Sequence, residues 1–178
     1  MNLAYMHVVI NHFPIMGVPI GLGLLALGAY ARNEAITRAA LLVFVVVGLV
    51  TVAVFLLGRA GHEYVEHLPG VSEDAVDAHG AMAGAALLAT ELLALLSLVV
   101  FARYGGPAML SRTPKAVVAT PVPGWAVGVV FVTGLVAAGM LGYTDKLGGQ
   151  IRHTEFVHGG AVPAMDHEDG DEQDRESH

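Results

Sequence analysis

Imidazole is the side chain in this sequence best placed to do chemistry. There are nine histidines and no cysteine. His7 and His12 stand near the start, His62, His67 and His79 in the middle, and His153, His158, His167 and His178 toward the end. Neutral imidazole binds zinc, copper, nickel and iron, and haem iron accepts histidine or methionine as an axial ligand. The lack of cysteine rules out disulfides, thiolate-ligated zinc, iron–sulfur clusters and covalently attached c-type haem. What remains for such a cluster is a non-covalent b-type haem, or a copper or zinc ion. His12 and Met16 are one helical turn apart, so a His/Met pair facing one pocket competes with Met16 as plain apolar packing.

These residues must be positioned by helices in a membrane. Of 178 residues, 54% are hydrophobic and only 14% charged, and the mean hydropathy is +0.61. Four runs reach the roughly 20 apolar residues that a spanning helix needs: about 13–31, 39–58, 80–102 and 122–143. The expected fold is all-α, an integral membrane four-helix bundle over residues 1–158, followed by a disordered acidic tail over 159–178. The formal charge of −7 belongs to that tail. Asp166, Glu168, Asp169, Asp171, Glu172, Asp174 and Glu176 face only Arg175 there, and the rest of the chain is nearly neutral. Nothing resembles a basic footprint for nucleic acid. The first Lys or Arg is Arg32, so the first apolar run lacks the positive start of a signal peptide and is expected to be retained.

The connections differ in kind. The stretch Arg32 to Arg38 is a tight link that makes the first two helices antiparallel neighbours. Arg59 to His79 is longer and acidic, with a turn at Pro69-Gly70. Arg103 to Pro123 carries Gly105-Gly106-Pro107, Pro114, Pro121 and Pro123, which marks an irregular loop. No internal repeat is legible. With four spans, every histidine falls on the side of the termini. Loops one and three carry Arg32, Arg38, Arg103, Arg112 and Lys115 against Arg59, Lys146, Arg152 and Arg175 on the other side. That small excess, with the uncharged N-terminus, orients both termini outward, to the periplasm in a bacterial inner membrane.

Within this frame His12 and His79 abut the starts of apolar helices, where a polar ring needs a partner. His7 and His12 are five residues apart, about 140° around an ideal helix, and face different neighbours unless Pro14 restarts the helix after an extended lead-in. The run Gly61-His62-Glu63-Tyr64-Val65-Glu66-His67 misses the H-E-x-x-H zinc-protease spacing, because position 66 is Glu66. A surface pair between Glu63 and His67 is the plainer reading. Glu91 lies twelve residues beyond His79, about 18 Å along a helix, near mid-bilayer. An ionisable group there suggests a proton-linked role; the alternative is a neutral carboxyl bonded to Thr90, Thr51 or Thr133. Gly17 with Gly21, Gly80 with Gly84, and Gly134 with Gly139 allow close helix packing or leave room for a flat cofactor.

His7-x4-His12-Phe13-Pro14, the Gly61-His62 acidic segment ending at His79, and Gly148-Gly149-Gln150-Ile151-Arg152-His153-Thr154-Glu155 together resemble a widespread bacterial four-helix inner-membrane family with an N-terminal H-x4-H-F-P motif. The resemblance implies a haem-binding or redox membrane component, with His7, His12, His62, His79 and His153 as the candidate ligands. Arg152 would pair with a haem propionate, and Glu155 would join the histidines if the group is copper or zinc. Tyr5-Met6 before His7 and Gly80 after His79 depart from that pattern. The expected partners are the lipid bilayer and a redox protein or larger membrane complex. The alternatives are a copper or zinc binding or transport protein, and a non-catalytic structural subunit. No nucleophile–base pair, phosphate loop or paired carboxylates suggest catalysis of its own.

Overall fold

The computed structural model describes residues 3–66, 71–104 and 120–152, and for 3–5, 62–66 and 152 only the course of the backbone. These residues form four helices: α1 Leu3–Tyr30, α2 Glu34–Glu66, α3 Glu73–Arg103 and α4 Gly124–Arg152. Each contains a segment long and apolar enough to cross a bilayer: Met6–Tyr30, Glu34–Gly61, Glu73–Arg103 and Gly124–Ile151. At about 1.5 Å per residue the 33 residues of α2 exceed a hydrocarbon core of about 30 Å, so the helices run past the apolar segments expected from sequence. Large apolar side chains such as Leu49, Leu88, Phe13 and Trp125 are exposed around the outside, as suits lipid contact. The tail, His67 and His158, and most of the third connection lie outside the described residues.

Local chemistry sets the helix ends. Asn33 caps α2, its Oδ1 accepting from the amides of Ala35 and Ile36 at 3.0 and 3.2 Å. Ser72 caps α3, its hydroxyl accepting from Ala75 N, with Glu73 and Asp74 in the first turn, where acids oppose the helix dipole. The carbonyl of Pro123 starts α4 by accepting from Ala126 N and Val127 N. The first link is shorter than expected: only Ala31–Asn33 separates α1 from α2, with Arg32 in the left-handed region at φ 51°. Gly28 permits that turn, because a Cβ there would lie 2.7 Å from Thr37 N. Arg38 is therefore a buried helical residue and not part of a loop. Its guanidinium donates to Glu34 Oε2 at 3.4 Å and Thr120 O at 3.3 Å, while Val122 N donates to the same carboxylate at 3.1 Å. This clamp ties the approach to α4 onto the start of α2.

The helices pack in a ring, α1 on α2, α2 on α3, α3 on α4 and α4 on α1, so α1 and α3 lie on one diagonal. A repeat hidden in the sequence emerges here. The buried positions of α1, namely Pro14, Val18, Gly21, Leu22, Leu25 and Gly28, recur in α3 as Ala86, Thr90, Leu93, Ala94, Ser97 and Val100, each 72 residues later. Five of the buried positions of α2, Ala40, Phe44, Val47, Thr51 and Val54, have buried counterparts in α4 at Val130, Gly134, Ala137, Leu141 and Thr144, each 90 residues later, whereas Thr37, Arg38, Leu41, Gly48 and Gly61 do not. The burial pattern of α1 thus matches that of α3, and part of that of α2 matches that of α4. The side chains differ: Gly21 accommodates Phe44 of α2, whereas Gly134 accommodates chiefly Leu22 of α1, with Leu93 of α3 farther off.

Candidate cofactor site at the histidine end of the bundle

Only helix geometry decides which histidines meet. Pro14 and Pro19 do not break α1; neighbouring helices support proline within membrane helices. His7 and His12 therefore ride one continuous helix on separate faces. His7 turns inward, and its Nδ1 lies 2.9 Å from Val54 O on α2. His12 is exposed, its Nδ1 3.0 Å from Val8 O on its own helix. His79 on α3 also turns inward, its Nδ1 3.0 Å from Thr144 O on α4. The structure brings His7 and His79 together, with ring centroids 6.4 Å apart and planes at 88°. His62 and Arg152 lie in the last turns of α2 and α4, with no side chain described, and His153 and Glu155 lie outside the described residues.

A carbonyl oxygen only accepts, so each Nδ1 must carry the proton of its hydrogen bond. In the neutral ring, each Nε2 then keeps its lone pair. Ligating histidines characteristically donate their other N–H to a backbone carbonyl in this way, which fixes both tautomer and ring orientation. Two pre-oriented imidazoles from one diagonal are thus held by carbonyls of the other. The arrangement obeys the internal repeat: His7 and His79 are 72 apart, Val54 and Thr144 are 90 apart. One turn beyond each carbonyl comes a glycine. A Cβ on Gly58 would stand 2.9 Å from Cε1 of His7, and one on Gly148 would stand 3.1 Å from Cε1 of His79.

The rings open on a shallow cleft of about 30 Å³ that is partly open to the exterior. His7, Asn11 and Pro14 line it from α1, and His79, Ala83 and Ala86 from the equivalent positions of α3. Thr51 and Val54 of α2 face Leu141 and Thr144 of α4, with Phe55 and Leu87 closing the rest. An apolar lining with a few convergent polar groups is the usual make-up of a small-molecule or cofactor site. From Tyr30 back to His7 is about 35 Å of helix, a little more than one hydrocarbon core. The site therefore lies at the end of the bundle opposite the α1–α2 turn.

No family model, curated protein or solved structure matches this chain.

Among the described residues, no group of three or more histidine, cysteine, aspartate or glutamate side chains could hold a metal ion. The described nitrogen donors at this end are the two inward imidazoles of His7 and His79, with the cleft of about 30 Å³ beside them. Sequence spacing put His12 level with His79, since nothing in the residue pattern told which face of α1 turns inward. Asn11 and Gly58 escaped notice, and Gly148 was read only as part of the segment after the fourth span; the signal for the glycines was their shared place one turn beyond Val54 and Thr144.

Glu91 lies between α2 and α3, beside Gly48, and its Oε1 is buried with no hydrogen-bond partner. The threonines expected to satisfy it are engaged elsewhere. Thr90 donates to Ala86 O, Thr51 to Val47 O and Thr133 to Val129 O, each in its own helix. Glu91 follows Leu87 by one turn, as Gly48 precedes Thr51 by about one, so it stands just beneath the floor of the cleft. Gly17, Gly21 and Gly134 sit against neighbouring side chains, whereas Gly80, Gly84 and Gly139 face open space.

Proposed function

We propose that this protein is a small electron-transfer component of a bacterial inner membrane, holding a b-type haem between His7 and His79 at the periplasmic side. The observation that supports this reading most is the pair of Nδ1–H donations to Val54 O and Thr144 O, which leave two Nε2 lone pairs for one shared centre. The resemblance of the histidine motifs to a haem-binding or redox membrane family points the same way. His7 and His79 would hold the iron, which when bound would supply one-electron exchange between a reduced and an oxidised membrane partner.

Ferrous haem carries one negative charge more than ferric, and a nearby carboxyl can offset it by taking up one proton. Glu91, with an unpartnered oxygen beneath the cleft, is the proposed proton-linked group. Arg152 and His62, near the ends of α4 and α2, are proposed to contact the propionates, and His12, His153 and Glu155 to contribute at the surface of the site. The termini are taken as periplasmic, with a redox protein or larger membrane complex as partner. A copper ion between the same two imidazoles is the competing reading, since imidazole is a good copper ligand.

The test is a reduced-minus-oxidised optical spectrum of the full chain purified in detergent. A sharp Soret and alpha band at one haem per chain is the expected result. A colourless preparation containing equimolar copper or zinc would replace haem by the metal reading, and neither would leave a structural subunit.

A further inference from the structure

Glu91 is the only charged residue in the apolar segments 13–31, 39–58, 80–102 and 122–143. Its Oε1 is buried without a hydrogen-bond partner. The carboxyl lies against α2, where a Cβ on Gly48 would stand 3.4 Å from Oε1 and 3.6 Å from Oε2. A buried polar atom is seldom left unpaired, and ordered water is the usual partner where the protein supplies none. No other acid or base in these segments can hand Glu91 a proton, so a route to it must run through water held by uncharged polar groups.

The two directions out from Glu91 differ. Toward the α1–α2 turn the bundle is filled by Leu22, Leu25, Leu41, Phe44 and Leu93, and the Ser97 Oγ there is itself buried without a partner. Toward the histidine end the cleft begins about one turn away, at Leu87 on α3 and Thr51 on α2. One turn is about 5.4 Å, close to the span of two O–H···O hydrogen bonds of about 2.7–2.8 Å through a single water. The cleft holds about 30 Å³. A water needs about 10–15 Å³ of such space, so about two fit. Asn11, Thr51 and Thr144 bring polar side chains to the wall beside the two rings. Thr51 and Thr144 give their hydroxyl protons to Val47 O and Met140 O and keep lone pairs that accept from water.

We infer that the cleft is a water site through which protons reach Glu91 from the histidine end of the bundle alone, with Thr51 holding the last water beside the carboxyl. This rests on Glu91 as the proton-linked group of the proposed function and holds for any cofactor the rings carry. The carboxyl gives its proton to the adjoining water and takes one back from it, so atoms and charge balance. Net uptake brings one proton along the same waters from the exterior, to which the cleft is partly open. Thr51 is a positioning residue: its oxygen orients the water and takes no proton.

The experiment is infrared spectroscopy of the full chain, purified in detergent and transferred into D2O. A protonated carboxyl in apolar surroundings has a C=O stretch clear of the amide bands that moves down on deuteration, and its loss in Glu91→Gln identifies it. Prompt exchange in the unaltered protein is the expected result. Thr51→Val should slow it about tenfold, through loss of one hydrogen bond from the path, and Thr51→Ser should keep the original rate. Ala83→Leu, which fills the cleft, should slow it as well. Thr133→Val, which removes a like hydroxyl outside the cleft, and Ser97→Ala, on the far side of Glu91, should leave the rate unchanged. Equal rates in Thr51→Val, Ala83→Leu and the unaltered chain would overturn the route and leave the proton linkage of Glu91 standing. A band that never exchanges, or slowing by Ser97→Ala instead, would overturn the route too. If Glu91→Gln removes no band at any pH at which the chain is folded, Glu91 has no part in proton chemistry and the route falls with it. Haem content is read separately by absorbance, so failure of the haem reading is distinct from failure of the route.

Discussion

His7 approaches His79 across the diagonal of the bundle, edge to face at 6.4 Å, and neither ring leans on the other for its orientation. Each is aimed by a backbone carbonyl of a third and a fourth helix. All four helices must therefore be in register before the pair exists, and the first consequence concerns the histidine that stays outside it.

His12 is exposed and bonds within its own helix. His12→Ala should retain at least about four-fifths of the wild-type cofactor content, because the loss of one exposed hydrogen bond changes stability by only about 1 kcal/mol. Absorbance per chain after purification checks this. A loss matching that of His7→Ala would bring His12 into the ligand set.

Gly28 fixes the first hairpin. A methyl group there would meet the Thr37 backbone, so Gly28→Ala should cost about 1–3 kcal/mol through overpacking and lower the thermal midpoint in detergent. Gly128→Ala, facing open space within α4, should be neutral or gain about 0.5–1 kcal/mol from helix propensity. The residue 72 positions after Gly28 is Val100, tolerated because the α3–α4 connection is long and requires no such approach.

The Glu34 carboxylate joins Arg38 and Val122 N. Glu34→Ala and Arg38→Ala should each destabilise by about 1–3 kcal/mol, since each leaves a partly buried partner unsatisfied. The double variant should cost clearly less than the two losses added, as expected for contacting residues. Thermal unfolding of the three variants in one detergent measures the coupling, and strict additivity would mean that the clamp contributes nothing.

Glu91→Gln replaces a carboxyl with an uncharged group of the same shape and cannot exchange a proton. If reduction of the cofactor draws a proton to Glu91, the wild-type midpoint potential falls as pH rises, and the variant's potential is flatter over the same range. Potentiometric titrations at a series of pH values decide this. Equal slopes would remove Glu91 from the redox chemistry and leave it a packing residue.

Much of the architecture was legible because membrane insertion imposes a coarse rule, roughly 20 apolar residues per crossing, which the segments around Val46, Leu88 and Val132 meet openly. The grouping of His7, His12, His62 and His79 at one end of the bundle followed from counting spans. Their facing did not. His7 and His12 differ only by rotation about α1, and no side-chain type records which neighbour that rotation meets. The repeat was illegible for a related reason. Burial is preserved between Leu25 and Ser97 or between Phe44 and Gly134, yet residue identity is not, because complementary volume across a contact suffices for packing. The carbonyls that aim His7 and His79 belong to Val54 and Thr144 through their backbone, so no reading of side chains could have singled them out.

The central claim is that the His7–His79 pair holds the cofactor. Its most direct test is the haem-to-protein ratio of His7→Ala, His79→Ala and the unaltered chain, purified in parallel from one host and compared by reduced-minus-oxidised absorbance. The account predicts one haem per chain in the unaltered protein. It predicts loss of the six-coordinate low-spin bands in each variant, with folding verified by an unchanged helical circular dichroism spectrum. Full six-coordinate haem in either folded variant, or none in the unaltered chain, would contradict it.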